Sequence, residues 1–167
     1  MNEIKTLFII RHGKSSWGYE NIADIDRPLK NRGIRNAYEM ADRINQLYEN
    51  PDLIISSPAN RALHTAIIFS RVLNIPTERI KIENNIYDGY ESAILDTVKK
   101  TTDAVSSIMI FGHNPGFTNL ANTFVKNYIE YIPTAGVVIL KFATESWIKI
   151  NKKNVAEEFY DFPKNIG

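Results

Sequence analysis

Leu7-Phe8-Ile9-Ile10-Arg11-His12-Gly13-Lys14-Ser15 decides the reading of this chain. Four consecutive apolar residues read as a strand buried on both faces, and residues 4–10 are assigned to it. The run stops abruptly at a guanidinium and an imidazole. In an open α/β sheet, ligands bind beyond the carboxyl ends of the strands. A histidine there can serve as a nucleophile, and an arginine beside it can hold an anion. A second block repeats the pattern: Ile108-Met109-Ile110-Phe111, then Gly112-His113-Asn114-Pro115-Gly116. Two strand ends, each delivering a histidine, point to one site assembled from distant parts of the chain.

Outward from these blocks, the rest of the chain alternates strands and helices. Residues 14–32 read as a polar loop. Ile34, Ala37, Tyr38, Ala41, Ile44 and Leu47 recur at helical spacing, so a helix is expected over about 34–49, ended by Asn50-Pro51. Leu53-Ile54-Ile55 forms a second strand. Pro58 suits a helix's first turn with Ser57 as its cap, and that helix runs to about Leu73. A short strand is expected at 79–82, a helix at 91–100, a strand at 107–111 and a helix from Pro115 to about 126. Residues 136–142 and 146–150 read as a terminal strand pair. The order predicts an α/β fold, a three-layer αβα sandwich. Its sheet is mainly parallel, with helices on both faces and an antiparallel edge.

With 167 residues, 44% hydrophobic and 23% charged, the chain fits a single domain over 1–167. A net charge of +1 argues against a nucleic-acid surface or a polybasic membrane anchor, so anion binding has to be local. The absence of cysteine excludes disulfides, thiolate chemistry and Cys-based zinc sites. The opening apolar stretch is too short for a signal peptide or membrane span, and a cytoplasmic protein is expected. No G-x-G-x-x-G follows the first strand, which disfavours a dinucleotide-binding fold.

Three segments come directly after strand ends: 11–15, 56–61 and 112–116. Arg11 and Arg61 can clamp phosphoryl oxygens bidentately. His12 can attack phosphorus as a neutral imidazole, and nearby arginines would lower its pKa and keep it nucleophilic. His113 can donate a hydrogen bond to a phosphoryl oxygen. Amides at the helix starts near Pro58 and Pro115 could add positive potential. Singly, each piece has a plain alternative: a surface loop for Arg11-His12, a solvated helix residue for Arg61, a helix cap for His113. His64, three residues past Arg61, lacks a strand-end context and is read as structural. The combination carries the argument, because all three segments fall on one edge of the inferred sheet.

The sequence resembles the histidine phosphatase superfamily, the phosphoglycerate mutase-like fold, and within it the SixA-type phosphohistidine phosphatases. The resemblance rests on Arg11-His12-Gly13-Lys14-Ser15-Ser16-Trp17, Asp24-Ile25-Asp26-Arg27-Pro28-Leu29, Asn31-Arg32-Gly33, Ser56-Ser57-Pro58-Ala59-Asn60-Arg61-Ala62, Gly112-His113-Asn114-Pro115-Gly116 and Ile132-Pro133-Thr134. It implies that His12 is the phosphorylated nucleophile. Arg11, Arg61 and His113, with Ser15, would complete a phosphate pocket that needs no metal or cofactor. It gives Asp26 and Arg27 no secure catalytic role; they read as pinning the loop that frames the pocket, with Pro28-Leu29 leading into the first helix.

The pattern departs from mutase-type members in two places. Gly18 stands where they carry an asparagine that contacts the phosphoryl group. No carboxylate stands in a convincing motif as the general acid, although Asp88 and, behind it, Glu83 lie in roughly the right region. Losing general acid catalysis costs about 10²–10⁴-fold when an alkoxide must leave. A phosphoramidate expels imidazole more easily, and a compact chain without lid insertions favours a protein-borne phosphoryl group. The expected substrate is therefore a phosphorylated protein carrying phosphohistidine. The alternatives are a small phosphorylated substrate, handled by a phosphomonoesterase or mutase, and a non-catalytic phosphate-binding module. The oligomeric state is not assigned.

Overall fold

A computed structural model of the chain describes residues 3–164. Strand β1, Lys5–Arg11, lies inside a six-stranded sheet of order β3-β2-β4-β1-β5-β6. The others are β2 (Leu53–Ser56), β3 (Ile80–Ile82), β4 (Ser107–Gly112), β5 (Val137–Phe142) and β6 (Val155–Asp161). β1 pairs in parallel with β4 and antiparallel with β5, and β6 closes the sheet as an antiparallel edge.

Alternation of side chains divides the sheet's two cores. Phe8, Ile10, Ile54, Met109, Phe111, Val137 and Ile139 face helices α1 (Asn31–Leu47) and α2 (Asn60–Val72). Leu7, Ile9, Ile55, Ile108, Ile110, Val138 and Leu140 face the other layer: α3 (Asn84–Asp88), α4 (Glu91–Lys99) and α5 (Gly116–Asn122). Leu7 to Ile10 are all essentially inaccessible. Removing such side chains from water is worth about 1.5–3 kcal/mol each, which is why the run is continuous rather than alternating. The expected three-layer architecture is therefore the observed one.

Several boundaries differ from expectation. The last strand is Val155–Asp161, not 146–150. Trp147–Lys149 is a short 3₁₀ turn that buries Trp147 completely; its Nε1 donates to the Val105 carbonyl at 2.7 Å. The true edge strand, Val-Ala-Glu-Glu-Phe-Tyr-Asp, has no fully buried residue and lacks an apolar run. α2 begins at Asn60 with Ala59 as N-cap, so Pro58 is not its first residue. Ser57 Oγ instead accepts the Ala59 amide. α5 stops at Asn122, short of 126, because the Asn122 side chain exchanges hydrogen bonds with Ile129 and diverts the chain. α1 starts three residues earlier than its apolar stripe and ends at Leu47.

One close approach holds the loop after β1. Gly13 and Gly33 meet backbone to backbone: a Cβ on Gly13 would lie 2.7 Å from the Gly33 carbonyl oxygen, and one on Gly33 would lie 2.8 Å from the Lys14 amide nitrogen and collide with the Lys14 carbonyl oxygen. The loop is then zipped to the segment before α1 by Lys30 N–H to Lys14 O and Ser16 N–H to Pro28 O. Gly33→Ala is expected to destabilise the protein by about 1–3 kcal/mol through this overpacking, read as a lowered urea midpoint. An unchanged midpoint would show that the loop and helix need not touch.

Candidate functional site

The strand ends come into register where the sheet is most buried. Arg11 lies opposite Gly112 and Ser56 opposite Phe111. The ladder continues one step further, with His12 N–H donating to Gly112 O and Ser57 N–H to Phe111 O. Beyond these ends lies an open cavity of about 190 Å³ lined by, among others, Arg11, His12, Ser15, Trp17, Arg27, Arg61 and His113. Every residue assigned to the phosphate pocket from the sequence lies on its wall. Neither Asp88 nor Glu83 does. Glu83 pairs with Lys81 at 3.0 Å, and Asp88 is the last residue of α3.

His12 has a defined tautomer. Its Nδ1 lies 2.7 Å from the Gly13 carbonyl oxygen, which can only accept, so Nδ1 carries the proton. Nε2 of the neutral ring then bears the lone pair. Burial holds the His12 pKa well below its ordinary value; His113, Arg11 and Arg61 lower it further, against the Gly13 hydrogen bond, which raises it. The arginines lower it as expected, and burial acts ahead of them. The ring is displaced from water more effectively than it is repelled by charge.

Arg11 donates through one terminal nitrogen to Tyr131 Oη at 2.7 Å and the Ile132 carbonyl at 2.9 Å. Its Nε is buried without a partner among the described residues. Arg61 rises from the first turn of α2 and is held at both terminal nitrogens by Asp24, through the carbonyl at 2.8 Å and the carboxylate at 3.0 Å. His113 places Nε2 2.7 Å from Ser57 Oγ and leaves Nδ1 buried without a partner among the described residues. Burial, then Arg61, push its pKa down to about 4, so the ring is neutral at pH 7. The amides near Pro115 are partly engaged: Phe117 N–H donates to the His113 carbonyl and Thr118 N–H to Asn114 Oδ1.

Arg27 is the residue whose place the sequence reading understated. It does pin the loop, donating from Nε to the Ser16 carbonyl and from a terminal nitrogen to Ser15 Oγ. It also faces the cavity as a third guanidinium, with Cζ 3.3 Å from the Trp17 ring centroid. Asp26, its neighbour, is exposed and lends its backbone carbonyl to Asn60. Asp24 ties the arginines together, accepting from Arg27, Arg61 and the Tyr87 hydroxyl. Burial opposes its ionisation, but these hydrogen bonds outweigh it and hold Asp24 well below the usual carboxylate range. A signal for Asp24 existed in the Asp24–Leu29 stretch, but nothing local says which carboxylate will meet Arg61, thirty-seven positions on. His64 lies outside the cavity wall, as its sequence context implied.

Comparisons with known proteins agree with this fold. Residues 7–85 match the profile of the histidine phosphatase superfamily, branch 1. An uncharacterized chloroplastic protein of Arabidopsis thaliana is 28% identical, over 86% of this chain and 69% of its own. Among solved structures, SixA of Nakamurella multipartitia superposes with a TM-score of 0.83 at 18% identity, over 96% of this chain and 97% of that one. The protein histidine phosphatase SixA complexed with tungstate superposes at 0.74 and 18%, over 94% of each. A mycobacterial glucosyl-3-phosphoglycerate phosphatase shares the fold at 0.62 and 12%, over 96% of this chain and 98% of that one. Residues 7–85 thus resemble the histidine phosphatase superfamily, and the fold of the chain is phosphoglycerate mutase-like.

The histidines set a pH dependence. Because the folded-state pKa of His113 is about 4 against an ordinary 6.5, the unfolded chain binds the extra proton between these values. Stability is therefore full above about pH 6.5 and falls as pH drops towards about 4, by up to roughly 1.4 kcal/mol per pH unit for one such group. His113→Gln is expected to flatten that slope in urea unfolding at stepped pH. An identical slope in the variant would mean that His113 is not kept neutral by the fold.

Proposed function

We propose that this protein is a metal-independent phosphatase of the SixA type that removes the phosphoryl group from phosphohistidine on a protein, through a phosphorylated His12. One observation carries the reading: the Gly13 carbonyl holds the His12 Nδ1 proton, leaving an Nε2 lone pair in a cavity walled by Arg11, Arg27 and Arg61. The unpartnered Arg11 Nε and His113 Nδ1 support it, since buried polar atoms without partners cost about 1–3 kcal/mol each and an oxyanion supplies acceptors to N–H donors.

In the proposed reaction, His12 Nε2 forms a bond to phosphorus as the substrate's P–N bond breaks. The bonding pair leaves with the substrate imidazole, which departs neutral when its other nitrogen already carries a proton. Arg11, Arg61 and Arg27 offset the charge on the equatorial oxygens, and His113 donates one hydrogen bond to them. Water then attacks phosphorus, returning His12 and releasing phosphate. Ser15, held by Arg27, frames the phosphoryl group.

The choice of a P–N bond rests on the missing acid. The two carboxylates expected from the sequence lie off the cavity wall, and Asp24, which touches the arginines, is held ionised and cannot readily donate a proton. No group of three or more His, Asp or Glu side chains among the described residues is gathered to hold a metal ion. No helix among them is long and apolar enough to cross a membrane.

Catalytic efficiency on a phosphohistidine peptide is expected to exceed that on 3-phosphoglycerate by at least about 10²-fold, the lower end of what a general acid contributes. The gap should narrow for an aryl phosphate, whose leaving group needs little protonation. Comparable rates on phosphohistidine and an alkyl phosphate would favour a small-molecule phosphatase. His12→Ala should abolish turnover and radiolabel trapping while the protein stays folded; label retained in that variant would place the nucleophile elsewhere. Arg61→Ala should weaken phosphate binding by about 1.5–3 kcal/mol, the worth of a charge-assisted contact, in calorimetric titration. Turnover should survive EDTA, and loss reversed by added Mg²⁺ or Zn²⁺ would overturn the metal-independent chemistry.

A further inference from the structure

A second cavity, of about 390 Å³, adjoins the phosphate cavity and shares two of its walls, Arg11 and Asn114. Its remaining lining includes Tyr131, Glu130, Asn119 and Thr118. Tyr131 lines the second cavity and meets Arg11, which lines both. Its hydroxyl accepts a hydrogen bond from Arg11, whose Cζ lies 4.8 Å from the ring centroid, and the ring remains more than half exposed. Glu130 and Asn119 are exposed and bring a carboxylate and an amide to the second cavity's lining.

We propose that this second cavity is the leaving-group subsite, which receives the imidazole ring of phosphohistidine while the phosphoryl group occupies the first. This inference rests on the proposed phosphatase reading and specifies what the site recognises beyond phosphate. The cavities share Arg11 and Asn114, so a ring bonded directly to the phosphoryl group would lie in the space adjoining it. A flat nitrogen heterocycle matches the Tyr131 ring in shape, and aromatic pairs of this kind favour offset or edge contacts. The ring nitrogen that is not phosphorylated carries a proton when the P–N bond breaks. Glu130 and the Asn119 side-chain carbonyl are acceptors for that N–H, and a carboxylate favours the protonated ring that departs most easily. A sugar phosphate offers no flat face to Tyr131 and no N–H to Glu130. The subsite thus selects for the same bond that the missing acid selects for, by binding rather than by chemistry.

The test compares three substrates on the full chain. Phosphoramidate carries a P–N bond but no ring, whereas a phosphohistidine peptide carries both; free phosphohistidine separates the ring from the peptide. Asn119→Trp, on an exposed position, fills the subsite, and Glu130→Ala removes its carboxylate. For each variant, kcat/KM on the phosphohistidine peptide should fall at least about fivefold relative to kcat/KM on phosphoramidate. Free phosphohistidine should follow the peptide. Glu130→Gln should restore part of the loss at low pH, where more of the substrate ring is already protonated, and less at high pH. A ratio unchanged in both variants, or a loss confined to the peptide with free phosphohistidine unaffected, would overturn the subsite. Failure of the unmodified protein to turn over phosphoramidate and phosphohistidine alike would instead overturn the phosphatase reading, so the two failures are distinguishable.

Discussion

Everything at the site depends on β1 being buried on both faces and flanked on both sides. With β4 on one edge and β5 on the other, the strand cannot slide: a one-residue slip would turn Phe8 and Ile10 into the opposite core. That fixes where Arg11 and His12 emerge, and it fixes them against Gly112 and His113, since β4 is in register with β1 to its last residue. The two histidine rings, 101 positions apart in sequence, come to 5.1 Å between centroids through this pairing. Precision at the site is inherited from hydrophobic burial beneath it.

The second constraint is charge. Three guanidinium groups face one small cavity, and nothing in a chain of net charge +1 disperses that density at a distance. Asp24 does so locally. It binds two of the three arginines and keeps their forks from turning into solvent, while Tyr131 and the Ile132 carbonyl hold the third. Two consequences run together. The arginines are oriented in advance, which lowers the cost of receiving an oxyanion. The carboxylate that orients them becomes too strongly held as an anion to act as an acid. On the proposed phosphatase reading, the hydrogen bonds that orient the arginines are also what withhold Asp24 as an acid.

Sequence alone determined the layered α/β architecture, the strands that form the centre of the sheet and five of the groups on the cavity wall. It could do so because continuous apolar runs and abrupt polar endings are local signals. Leu7–Ile10 and Ile108–Phe111 can hardly be anything but buried strands, and the polar residues at the end of each run mark the site directly. The edge was not legible. β6 holds no fully buried residue and no apolar run, so no burial pattern marks it, whereas Trp147, buried in a 3₁₀ turn, mimics a strand's apolar residue. What only the tertiary structure decided was how distant side chains meet: the Asp24 ties to Arg61 and Tyr87, the turning of Arg27 towards the cavity as well as the loop, the removal of Glu83 and Asp88 from the cavity wall, and the second cavity behind Tyr131. None of these has a sequence period, because each arises from long side chains and loops folded over the sheet's edge, where contact is set by three-dimensional packing and not by spacing along the chain.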